Sequence, residues 1–284
     1  MKPPHLSKAV FRLIKTALLA FVCCVRVSLA AEPHILLQST TSTLNSGLYE
    51  HLLPVFTTAS GIEVRVVAVG SGQALRNAAN CDGDAVLAHA PKDELAFMKQ
   101  GYGLARLPVM ENRFVLLGPG EDLAGIKAAS TISEALRLIA DKEMRFLSRG
   151  DDSGTHQRER ALWAEAGIDI STAEGSWYLE AGQGMGASIN LAVQLNAYLL
   201  SDISTWLAFG NKADHQLLYS SKEARLINRY SVLTLNPVQC PTVNHVGAKK
   251  FADWLTAEAG QRQIASFRLD GQQMFTTTSG QTDR

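Results

Sequence analysis

The stretch Arg145-Phe146-Leu147-Ser148-Arg149-Gly150-Asp151-Asp152-Ser153-Gly154-Thr155-His156 reads as a strand ending near Leu147, a polar turn, and a helix from about Ser153 to Ala166. Three other segments share that layout of a strand, a bend rich in glycine and hydroxyl groups, and a helix. They are Ser39-Thr40-Thr41-Ser42-Thr43, Gly70-Ser71-Gly72-Gln73 and Gly182-Gln183-Gly184-Met185-Gly186. Strands that alternate with helices predict an α/β architecture.

Working outward, Ile35 to Leu37 reads as a buried strand. Leu44, Leu48, Leu52, Val55, Phe56 and Ala59 fall at helical spacing over 44–59, closed by Gly61. The β-branched run Val64 to Val69 suits a parallel strand covered on both faces. Helices are expected over Gln73–Ala79 and Asp93–Lys99, and strands over Ala85–Ala88, Phe114–Leu117 and Tyr230–Leu235. Thr131 and Glu134 have capping-box spacing at the head of a helix through Ala140. A helix is expected over 186–200, a closing helix or helix pair over Phe251–Phe267, and a frayed polar tail from Thr276.

The chain has 284 residues, 46% of them apolar and 19% charged, with 27 basic and 27 acidic side chains. That is ample for one large domain or two smaller ones, and it excludes a disordered chain. With no net positive charge to neutralise phosphates, a nucleic-acid partner is not expected. Five of the basic residues (Lys2, Lys8, Arg12, Lys15 and Arg26) lie in the first 30 positions, which carry no acid. There, a cationic stretch, a short apolar run and Ser28-Leu29-Ala30 read as a signal peptide over 1–30, cut before Ala31. A lipid anchor at Cys23 or Cys24, or a retained N-terminal anchor, are the alternatives. After cleavage, 22 basic side chains face 27 acidic ones, and two cysteines remain, Cys81 and Cys240. Their spacing alone does not bring them together, so a disulfide stays open.

Helix N-termini present unpaired N–H groups and a partial positive charge, and Gly and Ser let a ligand reach the backbone. Taken singly, each bend is explained by ordinary capping. Four bends facing one cleft would form an anion cage with little formal charge. Arg149 is the strongest individual candidate, because its planar fork suits an oxyanion; the alternative is an ion pair with Asp151 or Asp152.

The four bends, with Val69-Gly70-Ser71-Gly72-Gln73-Ala74-Leu75, Pro108-Val109-Met110, Asn236-Pro237 and Phe251-Ala252-Asp253-Trp254-Leu255, resemble the tungstate-binding proteins of ABC transporters over about residues 33 to 270. The resemblance implies a two-lobe type II periplasmic-binding-protein fold with mixed sheets and a ligand cleft between the lobes. It implies lobe 1 over 31–112 and 230–284, lobe 2 over 113–229, and hinge strands near 110–116 and 229–235. Ligand contacts carried over by motif are Thr41, Ser42, Ser71, Gly72, Arg149, Ser153 and Thr155. The implied protein is a periplasmic, monomeric receptor for tungstate or molybdate. It would need no cofactor or metal and would deliver its anion to a permease with its ATPase.

Three segments depart from the family pattern. His89-Ala90-Pro91 lacks the usual aspartate, Ser201-Asp202-Ile203-Ser204-Thr205 lacks an arginine at Ile203, and Met110-Glu111-Asn112-Arg113-Phe114 carries Arg113 where an acid is usual. Phosphate is the nearest rival ligand, and a ligand-responsive sensor partner without a transport role is a second alternative. An enzyme is not expected. Ser153 and His156 share a helix face, but no nucleophile-elbow sequence is present, and the Gly182 segment lacks dinucleotide spacing. The seven histidines fall outside metal-ligand spacings.

Overall fold

The structure, a computed structural model, describes residues 33–173 and 175–277. The expected signal peptide and the tail beyond Thr277 lie outside the described residues. From His34 onward the chain forms a single compact unit.

Strand β1 (His34–Thr40) leads into α1 (Thr41–Asn45) and α2 (Leu48–Ser60), followed by β2 (Glu63–Val69), α3 (Ser71–Ala79), β3 (Ala85–Ala88) and α4 (Pro91–Lys99). The long strand β4 (Gly103–Pro119) is followed by α5 (Ile132–Asp141), β5 (Phe146–Ser148), α6 (Gly154–Glu165), β6 (Tyr178–Glu180), α7 (Met185–Leu195) and β7 (Leu199–Asp202). The chain closes with α8 (Ile203–Ala208), β8 (His215–Tyr219), β9 (Ile227–Leu235), α9 (His245–Thr256), α10 (Glu258–Ser266) and short strands β10 (Arg268–Leu269), β11 (Gln272–Gln273) and β12 (Thr276–Thr277).

β4 organises everything else. Its first part, through Arg113, pairs antiparallel with β9 in a mixed sheet ordered β12-β4-β9-β3-β1-β2. From Phe114 it changes partners, pairing with β7 and β8. Side chains alternate across this second part. Phe114 and Leu116 enter a cluster with Trp163, Tyr178 and Tyr198, whereas Val115 and Leu117 enter one with Met185, Ile189 and Leu199. Two further clusters cover the faces of the first sheet, one around Ile35, Leu52, Phe56 and Phe251, the other around Leu75, Val86, Phe97 and Leu233. The fold class is the α/β class expected, with mixed sheets.

Several local expectations need correction. The helix expected over 44–59 is broken: Gly47 has φ 77°, and the Ser46 hydroxyl donates to the Thr43 carbonyl at 2.7 Å. The helix expected over 186–200 stops at Leu195. Asn196 takes the left-handed conformation at φ 49°, and Leu199 and Leu200 are needed as strand partners of Leu117 and Leu116. The strand expected at Phe114–Leu117 is a fragment of β4. Thr276 and Thr277 are not frayed but pair with Glu111 and Met110. The question left open by the cysteines is answered by a disulfide: Cys81 and Cys240 are bonded, with Cα atoms 5.3 Å apart. It ties the end of α3 to the segment that leads into α9. Among the described residues, no helix is long and apolar enough to cross a membrane.

Candidate functional site

Each of the four bends sits at a helix start. Thr40 caps α1 by accepting from the Thr43 amide at 3.3 Å, and Ser153 caps α6 by accepting from the His156 amide at 3.3 Å. Gly70 and Gly184 precede α3 and α7 without any side-chain cap. The Thr and Ser caps use the amide of the third helical residue, so the first two amides of each helix stay outside the intrahelical ladder. Ser71 and Gly72, Gly154 and Thr155, Thr41 and Ser42 occupy those first two positions.

The bends touch one another. A Cβ placed on Gly184 would lie 3.1 Å from Thr41 Oγ1. One placed on Gly70 would lie 3.5 Å from the Asp151 carbonyl and 3.7 Å from Ser153 Cβ, and one on Gly72 would lie 3.0 Å from an Asp152 carboxylate oxygen. Arg149 joins the rest: Nη1 donates to Ser42 Oγ at 3.4 Å and Nε to the Gln183 carbonyl at 3.2 Å, while Nη2 is paired with Asp151. The bends that carry the seven sequence-predicted residues therefore adjoin one another. The ion pair with Asp151 exists as the alternative reading had it, but it is not a surface pair, since the Arg149 side chain is only 3% exposed. Burial pulls the guanidinium below its ordinary value, and the Asp151 carboxylate opposes that pull.

Three of these residues hold something unusual. The hydroxyl oxygens of Thr41, Ser71 and Thr155 are buried and have no protein hydrogen-bond partner. A buried hydroxyl left unpaired costs about 1–3 kcal/mol. One such group is tolerable; three, on the first turns of three helices, leave three buried hydroxyls able to meet an acceptor.

Sequence reasoning overlooked the polar chain beneath the cage. The Asn112 amide donates to Asp202 Oδ1 at 3.1 Å, and Asn228 donates to Asn112 Oδ1 at 2.9 Å. His89 Nδ1 lies 3.0 Å from Asn228 Oδ1, so the neutral ring donates there. At the other end, Thr205 Oγ1 lies 2.6 Å from Asp202 Oδ2 and 3.2 Å from the Ser42 carbonyl. The available signal was asparagine at 112 and 228, each just ahead of an apolar strand run, Phe114–Leu117 and Tyr230–Leu235. Burial pushes His89 down to about 4, a pull that the nearby Asp202 carboxylate only partly offsets.

That shift predicts an acid sensitivity. The unfolded chain takes a proton on His89 near 6.5, whereas the folded protein resists until about 4. The stability held by neutral His89 is thus complete above about 6.5 and lost as pH falls toward 4, by about 3 kcal/mol at most. Urea unfolding at neutral pH and near pH 4.5 should show a smaller loss for His89→Gln than for the native chain. Equal losses would clear His89 of the role.

The Ser153–His156 dyad does not form: the Ser153 oxygen serves as a helix cap, and His156 Nδ1 accepts from the Asp152 amide at 3.1 Å. Two of the three sequence departures turn out to be neighbours. Arg113 and Ile203 line one cavity of about 170 Å³ together with Glu111, and the Arg113 guanidinium donates to the Ser221 carbonyl at 3.2 Å. Ser221 belongs to none of the four bends. At the third, Ala90 precedes α4 without a side-chain cap, and Glu94 accepts from its amide at 2.8 Å.

Comparison with known proteins places these features. Residues 28–259 match the model of the PBP superfamily domain. A tungstate-binding protein, TupA, of Peptoclostridium acidaminophilum is 41% identical over 251 residues, covering 87% of this chain and 86% of that protein. The crystal structure of the tungstate ABC transporter from Geobacter sulfurreducens is 42% identical with a TM-score of 0.76, covering 82% of this chain and 98% of that one. TupA from Desulfovibrio alaskensis G20 is 40% identical with a TM-score of 0.72, covering 86% and 98% respectively.

Proposed function

The chain belongs to the PBP superfamily, among the tungstate-binding proteins, and from that premise we propose that it captures tungstate, or its near-twin molybdate, and hands it to an ABC transporter. The observation that carries this reading is the set of orphaned hydroxyls of Thr41, Ser71 and Thr155, together with buried Arg149, on bends that adjoin one another. Thr41, Ser42, Ser71, Gly72, Arg149, Ser153 and Thr155 are the proposed ligand shell, contributing hydroxyl and amide donors and one cation. No covalent step is involved.

The donor set favours an anion that carries no proton of its own. Phosphate keeps a proton near neutral pH and needs an acceptor to receive it. The two oxygens of Asp151 are already engaged, one accepting from the Ser153 amide at 3.2 Å and the other from Arg149. A tetrahedral dianion without a proton needs no further acceptor there.

In this reading the chain is exported to the periplasm by removal of residues 1–30 and acts as a monomer with a permease and its ATPase as partners. Residues 31–112 and 230–284 form one lobe, and 113–229 the other, with β4 and β9 as the hinge. The change of partners along β4 at Arg113 and Phe114 supports that division, as do the apolar clusters on either side of it. The Arg149–Ser42 and Thr205–Ser42 contacts would then cross the cleft and be made on closure.

A thermal-shift panel tests the proposal. By mass action, anion at a thousand times its dissociation constant adds about 4 kcal/mol, or about 10 °C for a chain of this size. Tungstate should deliver a shift of that order, and sulfate and phosphate at equal concentration far less. Equal shifts for all, or a larger one for phosphate, would overturn the assignment.

A further inference from the structure

We propose that Glu159, on α6, is a positioning residue that sets the anion cage from beneath by tying together the two strands that carry Arg149 and Gln183. The proposal rests on the oxyanion reading above. Glu159 is 3% exposed and lies in the core, where an unpaired carboxylate would be costly. It is fully engaged instead. One oxygen accepts from Trp163 Nε1 at 2.8 Å and from the Tyr178 hydroxyl at 2.8 Å, and the other accepts from the Ser148 hydroxyl.

Those partners are placed to matter. Ser148 is the last residue of β5 and immediately precedes Arg149; Tyr178 opens β6, which leads into the Gly182–Gly186 bend. β5 and β6 are a parallel pair with Phe146 opposite Tyr178 and Ser148 opposite Glu180. Having donated its proton to Glu159, the Ser148 oxygen is free to accept from the Gly150 amide at 3.3 Å. Beyond the strands, the backbones meet again: the Gln183 amide donates to the Arg149 carbonyl at 3.3 Å, and Arg149 Nε returns a bond to the Gln183 carbonyl. One buried carboxylate thus fixes the roots of two of the four bends, and its own helix begins with Gly154 and Thr155 at the far end of the first of them. A shift of about 1 Å in such a frame is enough to cost a large factor in function.

Its ionisation lies in a useful range. Burial pushes Glu159 up to about 7, opposed by the three donors and reinforced by Glu180 on β6. Of the other groups facing it, Tyr178 is held well above its ordinary value by burial, and His156 on the same helix is pulled below its own by burial. Tyr178 therefore stays neutral across the window, and His156 is neutral above it. Ionised, Glu159 accepts from all three donors. Protonated, it must place a proton of its own, which reverses the Ser148 bond and leaves the Ser148 hydroxyl hydrogen without its acceptor at the root of the bend. Positioning therefore predicts tighter anion binding as pH rises through about 7. A mere through-space repulsion between carboxylate and anion would have the opposite sign.

The test is calorimetric titration of the whole mature chain with sodium tungstate at about pH 6.5 and pH 8, with tryptophan emission of the ligand-free protein followed over the same range. The native chain should bind more tightly at the higher pH and show an emission change from Trp163 as Glu159 titrates. E159Q should bind about tenfold more weakly at the higher pH, with a flat pH profile and no emission change. Ser148→Ala keeps the carboxylate's bonds to Trp163 and Tyr178 and removes the bridging hydroxyl, so it should weaken binding while leaving the emission change in place. Failure of the native chain to bind tungstate would overturn the oxyanion reading and this inference with it. Native binding, with either variant equal to it in affinity and pH profile, would overturn the positioning role alone. Should E159Q fail to fold, Ser148→Ala decides the matter by itself.

Discussion

Arg149→Ala is expected to lower tungstate affinity by a factor of a hundred or more. Its guanidinium is the one cation among the seven proposed ligand residues, and it is almost fully buried. Charge-assisted hydrogen bonds in such a setting are worth about 1.5–3 kcal/mol each. Two of them to one anion amount to about 3–5 kcal/mol, a hundredfold to thousandfold change in dissociation constant. The loss has a second source. Asp151, only 14% exposed on its side chain, would keep its charge beside the anion with no cation to balance it. Arg149→Ala with Asp151→Asn should therefore bind better than Arg149→Ala alone, while Arg149→Lys keeps the charge without the fork and should fall between. Because Asp151 is left mostly buried without its cation, the ligand-free melting temperature of Arg149→Ala should also fall, and Asp151→Asn should restore part of that loss. Calorimetry that found native affinity in Arg149→Ala would take the residue out of the site.

The four bends were legible from the sequence because each carries its own local reason: small and hydroxyl residues where a strand must turn into a helix. Their meeting in space was legible only through resemblance, since no local rule brings Thr41 beside Gly184 or Gly70 beside Asp151. Secondary structure failed where distant pairing overrode local pattern. Asn112 and Arg113 interrupt the apolar run that would have extended the strand at Phe114 backward, yet β4 continues through them because β9 and Asp202 supply partners for strand and side chain alike. Leu199 and Leu200 fit a helical stripe equally well; only the exposed ladder of β4 makes them a strand.

The same limit explains the residues that were missed. Glu159 looks in sequence like any charged position on an amphipathic helix, and only Ser148, Trp163 and Tyr178 closing over it turn it into an anchor. His89, Asn112, Asn228 and Asp202 come from four separate strands or strand ends, and their bonds span up to 139 positions. Ile203 was singled out for a lost arginine, and Arg113 for standing where an acid is usual. In space both line one cavity together with Glu111.

Gly154→Ala is expected to weaken binding by up to about a hundredfold without unfolding the chain. Gly154 is the first residue of α6 and faces β3's end: a Cβ there would lie 2.5 Å from the His89 carbonyl oxygen, 3.2 Å from its carbon and 3.3 Å from the ring Nδ1. The obstacle is backbone, so no rotamer change relieves it. In the proposed division His89 and Gly154 stand on opposite lobes, and separating the lobes is what removes the clash. The added methyl would thus penalise the closed state selectively, and alanine at a helix start is otherwise tolerated. Overpacking of this kind costs about 1–3 kcal/mol, up to a hundredfold in a closure equilibrium. All of it is charged to ligand binding, since an anion that holds the closed form must first overcome that bias. Small-angle scattering should show Gly154→Ala remaining expanded with tungstate at a concentration that compacts the native chain, and its ligand-free melting should match the native one. If the variant instead melts early with or without anion, the contact is part of a rigid core, and β4 and β9 do not form a hinge.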